Sequence, residues 1–244
     1  MVHRTDFIRR RREEAWAYGR KIRDSFLAAY KMRYGLEIAP PPALIVDELL
    51  TDFLDAELKY DPLGDDVFAQ TEWADGRPLV TVNSLTGSIP GVRDAQGVQN
   101  VAKWHEAIHV ADHVDILRSQ SQLALSGFDA PEKIVCYRSD ERLTTTEARA
   151  REFWAEEAGR AAAVSFQALA SSQAFRELCA LAGRSRGPVA RAFPLLYTAA
   201  SDIGVNITAL VKQLTLEGRI AVTEERGRKL VYVQPALTHL PEVT

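Results

Sequence analysis

The chain has 244 residues, of which 46% are hydrophobic and 26% charged, and its formal net charge is -3. A globular core of this size needs neither disulfides nor a structural metal. Because the only two cysteines are Cys136 and Cys179, we expect neither a disulfide framework nor a thiolate zinc finger. There is no run of about 18 apolar residues and no apolar N-terminal segment, so we expect a cytoplasmic protein without a membrane span.

Residues 5–34 are predicted to form one amphipathic helix, because apolar residues recur at helical spacing among many arginines and lysines. Gly35 is expected to end this helix, and the prolines at 40–42 prevent it from resuming. A basic helix is compatible with a polyanionic partner, but we expect a solvated face on a helix that packs against the core.

The next segments combine helix and strand signals. Residues 44–58 are predicted to be a helix, and residues 67–69 and 79–82 are predicted to be strands. Asp75-Gly76 between the two strands is a strong hairpin turn signal. Residues 99–117 are then predicted to form a long helix, which carries the motif described below.

Two more helices are predicted beyond an ambiguous stretch. The first spans 144–171 and opens with threonine caps and an early glutamate, and the second spans 173–182. The polar stretch 183–188 contains glycine, serine and proline, so it is the predicted linker to a C-terminal module.

A metal-binding motif lies on the predicted 99–117 helix. His105, Glu106 and His109 form H-E-x-x-H, whose two histidines return to nearly the same helix face after four residues. Neutral imidazoles suit zinc, and the intervening glutamate can serve as the general base for a water. The motif therefore predicts a zinc site with Glu106 as the catalytic residue.

His113 continues the same helical strip, but it is not expected to be the third ligand. The metal would lie level with about residue 107, roughly 9 Å along the helix axis from His113, which exceeds the reach of an imidazole. Metallopeptidases whose third histidine follows on the same strip first break the helix with glycine, and none follows His109. We expect His113 and the neighbouring aspartates to lie behind the ligands or on a solvated face.

The third ligand is therefore expected from the predicted 144–171 helix. Glu152, Ala155, Glu156 and Gly159 share one face of that helix by spacing, and the two small residues would permit a close helix contact. Either Glu152 or Glu156 could place a carboxylate opposite the imidazoles. Glu157 points elsewhere and is expected to be a solvated charge.

The order of these features, over about residues 18–170, resembles the ImmA/IrrE family of metallopeptidases. The shared features are the proline-rich entry at 40–42, a strand that ends at Asn83, H-E-x-x-H, and a downstream E-x-x-A that Glu152 begins. In the family's motif an asparagine follows, where this chain has Glu156. The resemblance implies a zincin-like fold and a protease that acts on repressors, and the choice between the two glutamates stays open.

Residues 189–234 have the order of a winged helix, and resemble bacterial winged-helix repressors. Asn206 can cap the second helix, and Gly218 ends it. The predicted elements are helices at 193–200 and 207–216 and strands at 219–222 and 230–233.

The second helix of this module is predicted to turn polar side chains outward, and basic residues lie at the tip of the hairpin. Such side chains contact phosphates and base edges in DNA complexes. The candidate DNA-binding residues are Thr208, Lys212, Gln213, Arg226, Arg228 and Lys229. Protein docking is the alternative role for the module.

These observations predict an α+β protein with a zincin-like domain at 1–172 and a winged-helix domain at 184–244. We expect a zinc peptidase that cleaves a specific intracellular protein, for which a transcriptional repressor is one candidate, with DNA as a further partner and no membrane. The alternative is a non-enzymatic winged-helix transcription regulator with a structural or sensory zinc site, and a weaker one is a metal-free dimerising scaffold. The substrate and the oligomeric state are not determined by the sequence.

Overall fold

The computed structural model of the chain describes residues 2–125, 134–137, 146–184, 187–225 and 227–234. Helices and strands both contribute, which confirms the predicted α+β class. The α-helices are α1 (Val2–Tyr34), α2 (Val46–Glu48), α3 (Ala95–Leu125), α4 (Thr146–Ala163), α5 (Phe166–Ser171), α6 (Gln173–Gly183), α7 (Ala192–Asp202) and α8 (Ile207–Leu216). The strands are β1 (Glu57–Asp61), β2 (Val67–Ala74), β3 (Arg77–Asn83), β4 (Ile134–Tyr137), β5 (Ile220–Glu225) and β6 (Arg228–Val233).

A four-stranded sheet supports the helix that carries the histidines. Its strand order is β1-β3-β2-β4, with β1 parallel to β3 and the other pairs antiparallel. Asp75 and Gly76 join β2 to β3 with φ values of 49° and 85°. Positive φ at both central residues is what a type I′ hairpin turn requires, so the predicted hairpin is confirmed. Helix α3 packs against β2 and β3.

The helix predicted at 44–58 is wrong in its second half. A single helical segment does run from Pro42, through α2, to a π-helical turn at Leu49–Phe53. Asp55 then has a φ of 52°, and Glu57 begins β1. Parallel pairing with β3 supplies hydrogen bonds for the backbone of β1, and such tertiary pairing overrides the local helical spacing.

The later helices have bounds that differ from those predicted. The helix predicted at 99–117 is α3, which begins earlier, at Ala95, and ends later, at Leu125. The helix predicted at 144–171 is two helices, because the hydroxyl of Ser165 caps the start of α5 by accepting a hydrogen bond from the amide of Ala168. Residues 144 and 145 lie outside the described residues.

Helix α1 packs along α4, so its basic residues are partly used inside the protein. Arg20 forms an ion pair with Glu217, and the guanidinium of Arg23 donates a hydrogen bond to the carbonyl of Ala161. Gly19 lies so close to α4 that an added Cβ would be 2.1 Å from the carbonyl oxygen of Ala158. The helix therefore has the expected character, with one face packed and the other solvated.

Glu157 is buried between α1 and α4, so the expectation of a solvated charge is wrong. Its carboxylate accepts a hydrogen bond from the indole of Trp16 at 2.9 Å and one from Arg160 at 2.5 Å. Arg12 lies 3.2 Å from the same oxygen. A buried charge needs partners of this kind, and α1, which is distant in sequence, supplies two of the three.

The substitution Glu157→Gln is expected to lower the free energy of unfolding by about 3 kcal/mol, because it leaves a buried guanidinium without its charged partner. Arg160 keeps Glu156 as a second partner. The loss of stability is therefore expected at the low end of the range for broken buried ion pairs. Urea denaturation of the variant and of Glu147→Gln, an exposed glutamate on the same helix, would measure the difference. Equal unfolding midpoints for the two variants would contradict this expectation.

The C-terminal elements have the predicted order of helix, turn, helix and hairpin. Helix α8 has the predicted bounds, and the side chain of Asn206 caps it by accepting a hydrogen bond from the amide of Ala209. Strands β5 and β6 pair antiparallel around a hairpin that contains Gly227, with a φ of 72°. The tip residue Arg226 lies outside the described residues. The winged-helix identity of this module stays a prediction.

This C-terminal module packs directly on the helix that carries the histidines. The side chain of Asn100 donates a hydrogen bond to the carbonyl of Gly204 at 2.9 Å. An added Cβ on Gly97 would lie 2.6 Å from the amide nitrogen of Asn206, so the two backbones are in close contact. Buried residues on both sides of the predicted linker belong to one contiguous hydrophobic cluster. The module is therefore a fixed neighbour of α3.

Among the described residues, no single helix has both the length and the apolar character to cross a membrane. Helices α7 and α8 meet the length and composition criteria only as a pair, and they are bent by 106° at the break between them.

Candidate metal centre

Three side chains from two helices converge on one point. On α3, the Nε2 atoms of His105 and His109 lie 2.9 Å apart. On α4, the two carboxylate oxygens of Glu152 lie 3.0 Å from Nε2 of His105 and 3.3 Å from Nε2 of His109. The three residues form a group that could hold a metal ion, as the sequence predicted.

The close approach of α4 to α3 depends on small residues, as predicted from their spacing. Ala155 is completely buried, and an added Cβ on Gly159 would lie 2.9 Å from the backbone nitrogen and Cα of His105. A side chain at 159 would therefore separate the helices at the level of the histidine ligand. Glu152 is two helical turns earlier on the same face, which is why its carboxylate reaches the imidazoles.

The spacing of these atoms fits zinc. A tetrahedral zinc site with bonds of about 2.0–2.1 Å separates its ligand atoms by about 3.3 Å. The three separations between the ligand residues are 2.9, 3.0 and 3.3 Å, so small adjustments would suffice. Two imidazoles and one carboxylate also match the donor set of catalytic zinc sites, which keep the fourth position open.

Glu106 lies beside this group and is completely buried. One carboxylate oxygen, Oε2, accepts a hydrogen bond from the hydroxyl of Thr71 on β2 at 2.5 Å. The other, Oε1, has no hydrogen-bond partner among the described residues. An unpaired buried carboxylate oxygen is costly, so the site has an acceptor that a water or a substrate could satisfy.

Burial raises the pKa of Glu106 to about 7, although the charge of His105 and the hydrogen bond from Thr71 oppose the rise. A carboxyl group with this pKa is able to accept and return a proton near neutral pH.

The metal-free ligands have perturbed pKa values with identifiable causes. Burial lowers the pKa of His109 to about 4. Burial also opposes the charged form of His105, but the hydrogen bond and the charge of Glu152 outweigh it, so that pKa is raised. For Glu152, burial is outweighed by the hydrogen bonds from both histidines, and its pKa is lowered. A carboxylate and one neutral imidazole are ligand forms that zinc requires.

His113 lies behind the ligands, which is one of the two positions predicted for it. Its Nδ1 is 3.0 Å from Nδ1 of His109, and its Nε2 is 3.5 Å from a carboxylate oxygen of Asp112. If His109 binds a metal through Nε2, its Nδ1 carries the proton. Nδ1 of His109 then donates a hydrogen bond to Nδ1 of His113. His113 would thereby fix the tautomer and the ring orientation of His109.

We expect His113→Ala to weaken zinc binding about 10–100-fold, which is the usual effect of removing a partner that orients a metal ligand. The exposed Asp115 lies on the same helix, so Asp115→Ala provides a matched control. Competition with a chromophoric chelator would measure both affinities. An unchanged affinity in His113→Ala would show that the contact between the two imidazoles does not orient His109.

Glu156, the alternative third ligand, is outside the group that could hold a metal ion and is paired with two cations. One carboxylate oxygen accepts hydrogen bonds from Arg160, at 3.0 Å, and from the ammonium group of Lys212 on α8. The geometry therefore brings Glu152 to the histidines, and Glu156 instead connects α4 with the C-terminal module. The two glutamates are one helical turn apart on α4. Which of them reaches the histidines depends on how α4 packs against α3.

The candidate DNA-binding residues are not all exposed, although Thr208, Lys212 and Lys229 are exposed and line one cleft. Gln213 is 1% exposed, and its side chain accepts a hydrogen bond from Arg160 at 3.1 Å, so its predicted outward orientation is wrong. Lys212 is exposed but is paired with Glu156, and Thr208 lines a cleft that also contains His105. Of the hairpin residues, Arg228 and Lys229 are exposed.

Thr71 is a site residue that the sequence analysis did not identify. It lies on the buried face of β2, where a threonine is ordinary in a strand, and its hydroxyl reaches Glu106 only because the sheet packs on α3. No local sequence signal distinguishes it.

Comparisons of this chain with protein-family models, with curated proteins and with solved structures give no match.

Proposed function

We propose that this chain is a cytoplasmic zinc-dependent peptidase that cleaves a specific intracellular protein. The observation that carries the proposal is the convergence of His105, His109 and Glu152 with Glu106 buried beside them. The two imidazoles and the Glu152 carboxylate lie next to Glu106, whose Oε1 has no partner among the described residues. This arrangement supports hydrolysis better than a structural role. A structural metal site has no use for an adjacent general base.

In this proposal the chain's own residues bind the metal and move one proton. His105 and His109 would hold the metal through Nε2, and Glu152 would hold it through its carboxylate. Zinc, when bound, acts as a Lewis acid that lowers the pKa of water toward about 7 and polarises a carbonyl.

Glu106 is held by Thr71 through Oε2, which leaves Oε1 to take the proton of the attacking water. A bond forms between the water oxygen and the peptide carbon, and the bond from that carbon to nitrogen breaks. Glu106 then returns the proton to the amine that leaves.

The proposal includes a zincin-like fold for the N-terminal part of the chain and a winged-helix fold for the C-terminal part. It also includes a repressor as the substrate. The alternative, a regulator that binds DNA through α8, is less well supported. Two of the polar side chains expected to read DNA already have partners within the protein: Gln213 is buried against Arg160, and Lys212 is paired with Glu156.

Binding of the full-length chain to duplex DNA would test the alternative. If DNA binding occurs through the hairpin, we expect Arg228→Glu to weaken it and rising salt to weaken it further, since phosphate contacts release counterions. Binding of random duplexes that is strong, salt-dependent and reduced by this substitution would favour the regulator.

The peptidase proposal is tested by comparing protein termini in cells that produce the wild-type chain with those in cells that produce His105→Ala/His109→Ala. We expect one or a few new termini with the wild-type chain alone. If no new terminus depends on the two histidines, the peptidase proposal fails.

A further inference from the structure

A large cleft lies between α3 and the C-terminal module, and it adjoins the metal centre at His105. Its volume is about 1120 Å³, and His105 forms part of its wall. Pockets for small molecules usually measure about 300–1,000 Å³. The cleft therefore has room for a segment of a polymer and not only for a small ligand.

The walls of the cleft are largely apolar and come from distant parts of the chain. Residues of α7 and α8 face residues of β2, of the loop before α3 and of α3 itself. The apolar lining residues include Phe68, Val92, Val98, Phe193, Ile207 and Val211. An occupant must consequently offer apolar side chains to this surface.

The charges around the cleft leave a positive excess. Lys212 and Arg160 are paired with Glu156. Arg93 and Lys229 also line the cleft, and both are exposed without an ion pair to any described residue. The carboxylate of Asp94 is used to cap α3 by accepting a hydrogen bond from the amide of Gly97. An occupant that carries carboxylates would complement these two cations.

The wall formed by the C-terminal module is fixed in place. Gly97 and Asn206 are in backbone contact, and Asn100 donates to the carbonyl of Gly204, so α8 is held against the start of α3. The pair of Lys212 with Glu156 adds a connection near the metal centre. A wall held at several points is preorganised for binding.

We propose that the C-terminal module is one wall of the substrate cleft, and that the cleft selects an extended polypeptide segment with apolar residues flanked by aspartate or glutamate. This inference rests on the proposed peptidase function and adds the substrate class to it. Arg93 and Lys229 are the specificity-determining residues, since they are the cleft's lysine and arginine residues that form no ion pair with a described residue. The polypeptide is favoured over nucleic acid because the cleft walls are largely apolar and Gln213 of α8 is buried.

The test measures binding without turnover. A library of random peptides is selected on the full-length Glu106→Gln chain, and the affinity of a selected peptide is then measured by fluorescence anisotropy. We expect selected peptides to be enriched in acidic residues next to apolar ones. The double variant Arg93→Glu/Lys229→Glu, in the same background, is expected to bind such a peptide at least about tenfold more weakly, since two attractions become repulsions.

Matched charge reversals away from the cleft provide the control. Arg176 and Lys21 are exposed and make no ion pair with a described residue. The double variant Arg176→Glu/Lys21→Glu is expected to change the affinity less than about twofold, because neither residue lines the cleft and exposed charges are screened by salt. A photo-reactive phenylalanine analogue at Tyr197, on the α7 wall, should crosslink to the bound peptide, whereas the same analogue at the exposed Tyr34 should not.

Each remaining outcome overturns the inference. These outcomes are no enrichment of peptides, equal weakening by both double variants, crosslinking at Tyr34 only, or displacement of the peptide by duplex DNA. The result is separable from the proposed function, because the binding measured with Glu106→Gln does not depend on cleavage. A chain that cleaves its partner through Glu106 but binds through another surface would lose this inference and remain a peptidase.

Discussion

Glu106→Gln is expected to lower the rate of peptide-bond cleavage about 10²–10⁴-fold, the usual contribution of general acid–base catalysis. The substitution keeps the size of the side chain and the hydrogen bond from Thr71, but Oε1 is no longer available as a base. Zinc binding should persist, because His105, His109 and Glu152 are unchanged. Co-expression with candidate partner proteins, followed by mass spectrometry of the fragments, would measure cleavage and identify the substrate in the same experiment.

The matched control for this prediction is Glu177→Gln, which changes an exposed glutamate on α6. It should cleave like the wild-type chain. A fragment that appears equally with wild type and Glu106→Gln would show that another site or another protein is responsible. Folding of both variants is checked by their thermal unfolding, since a misfolded chain would also fail to cleave.

The second large effect is expected on metal binding. The chain, purified without added zinc, should contain about one zinc per molecule, the stoichiometry of a single three-ligand site. His105→Ala and His109→Ala should each abolish retention of the metal, because the remaining two ligands cannot hold it against dilution. Elemental analysis of the purified variants would measure the zinc content.

The carboxylate ligand is tested by two glutamine substitutions on one helix. Glu152→Gln should weaken zinc binding strongly, whereas Glu156→Gln should leave it nearly unchanged, because only Glu152 reaches the imidazoles. A large effect of Glu156→Gln with none of Glu152→Gln would place the ligand one turn farther along α4. Full zinc in the His105→Ala/His109→Ala double variant would exclude this centre altogether.

The amino-acid sequence determined the features that depend on neighbours along the chain. The four-residue spacing of His105 and His109 places both on one side of any helix that contains them. Asp75-Gly76 specified the hairpin, because glycine and aspartate tolerate the positive φ values that the turn requires. Asn206 and Gly218 delimited α8, since each satisfies the backbone at one end of a helix.

Only the tertiary structure decided which side chains meet across distant elements. Helical spacing puts Glu152 and Glu156 on one face, but the contact of Gly159 with the backbone of His105 sets the register that brings Glu152 to the histidines. The burial of Glu157 and Gln213 likewise depends on Trp16 and Arg160, which reach them through helix packing. Spacing along the chain fixes which residues share a face, whereas the partner of that face is set by close packing between elements far apart in sequence.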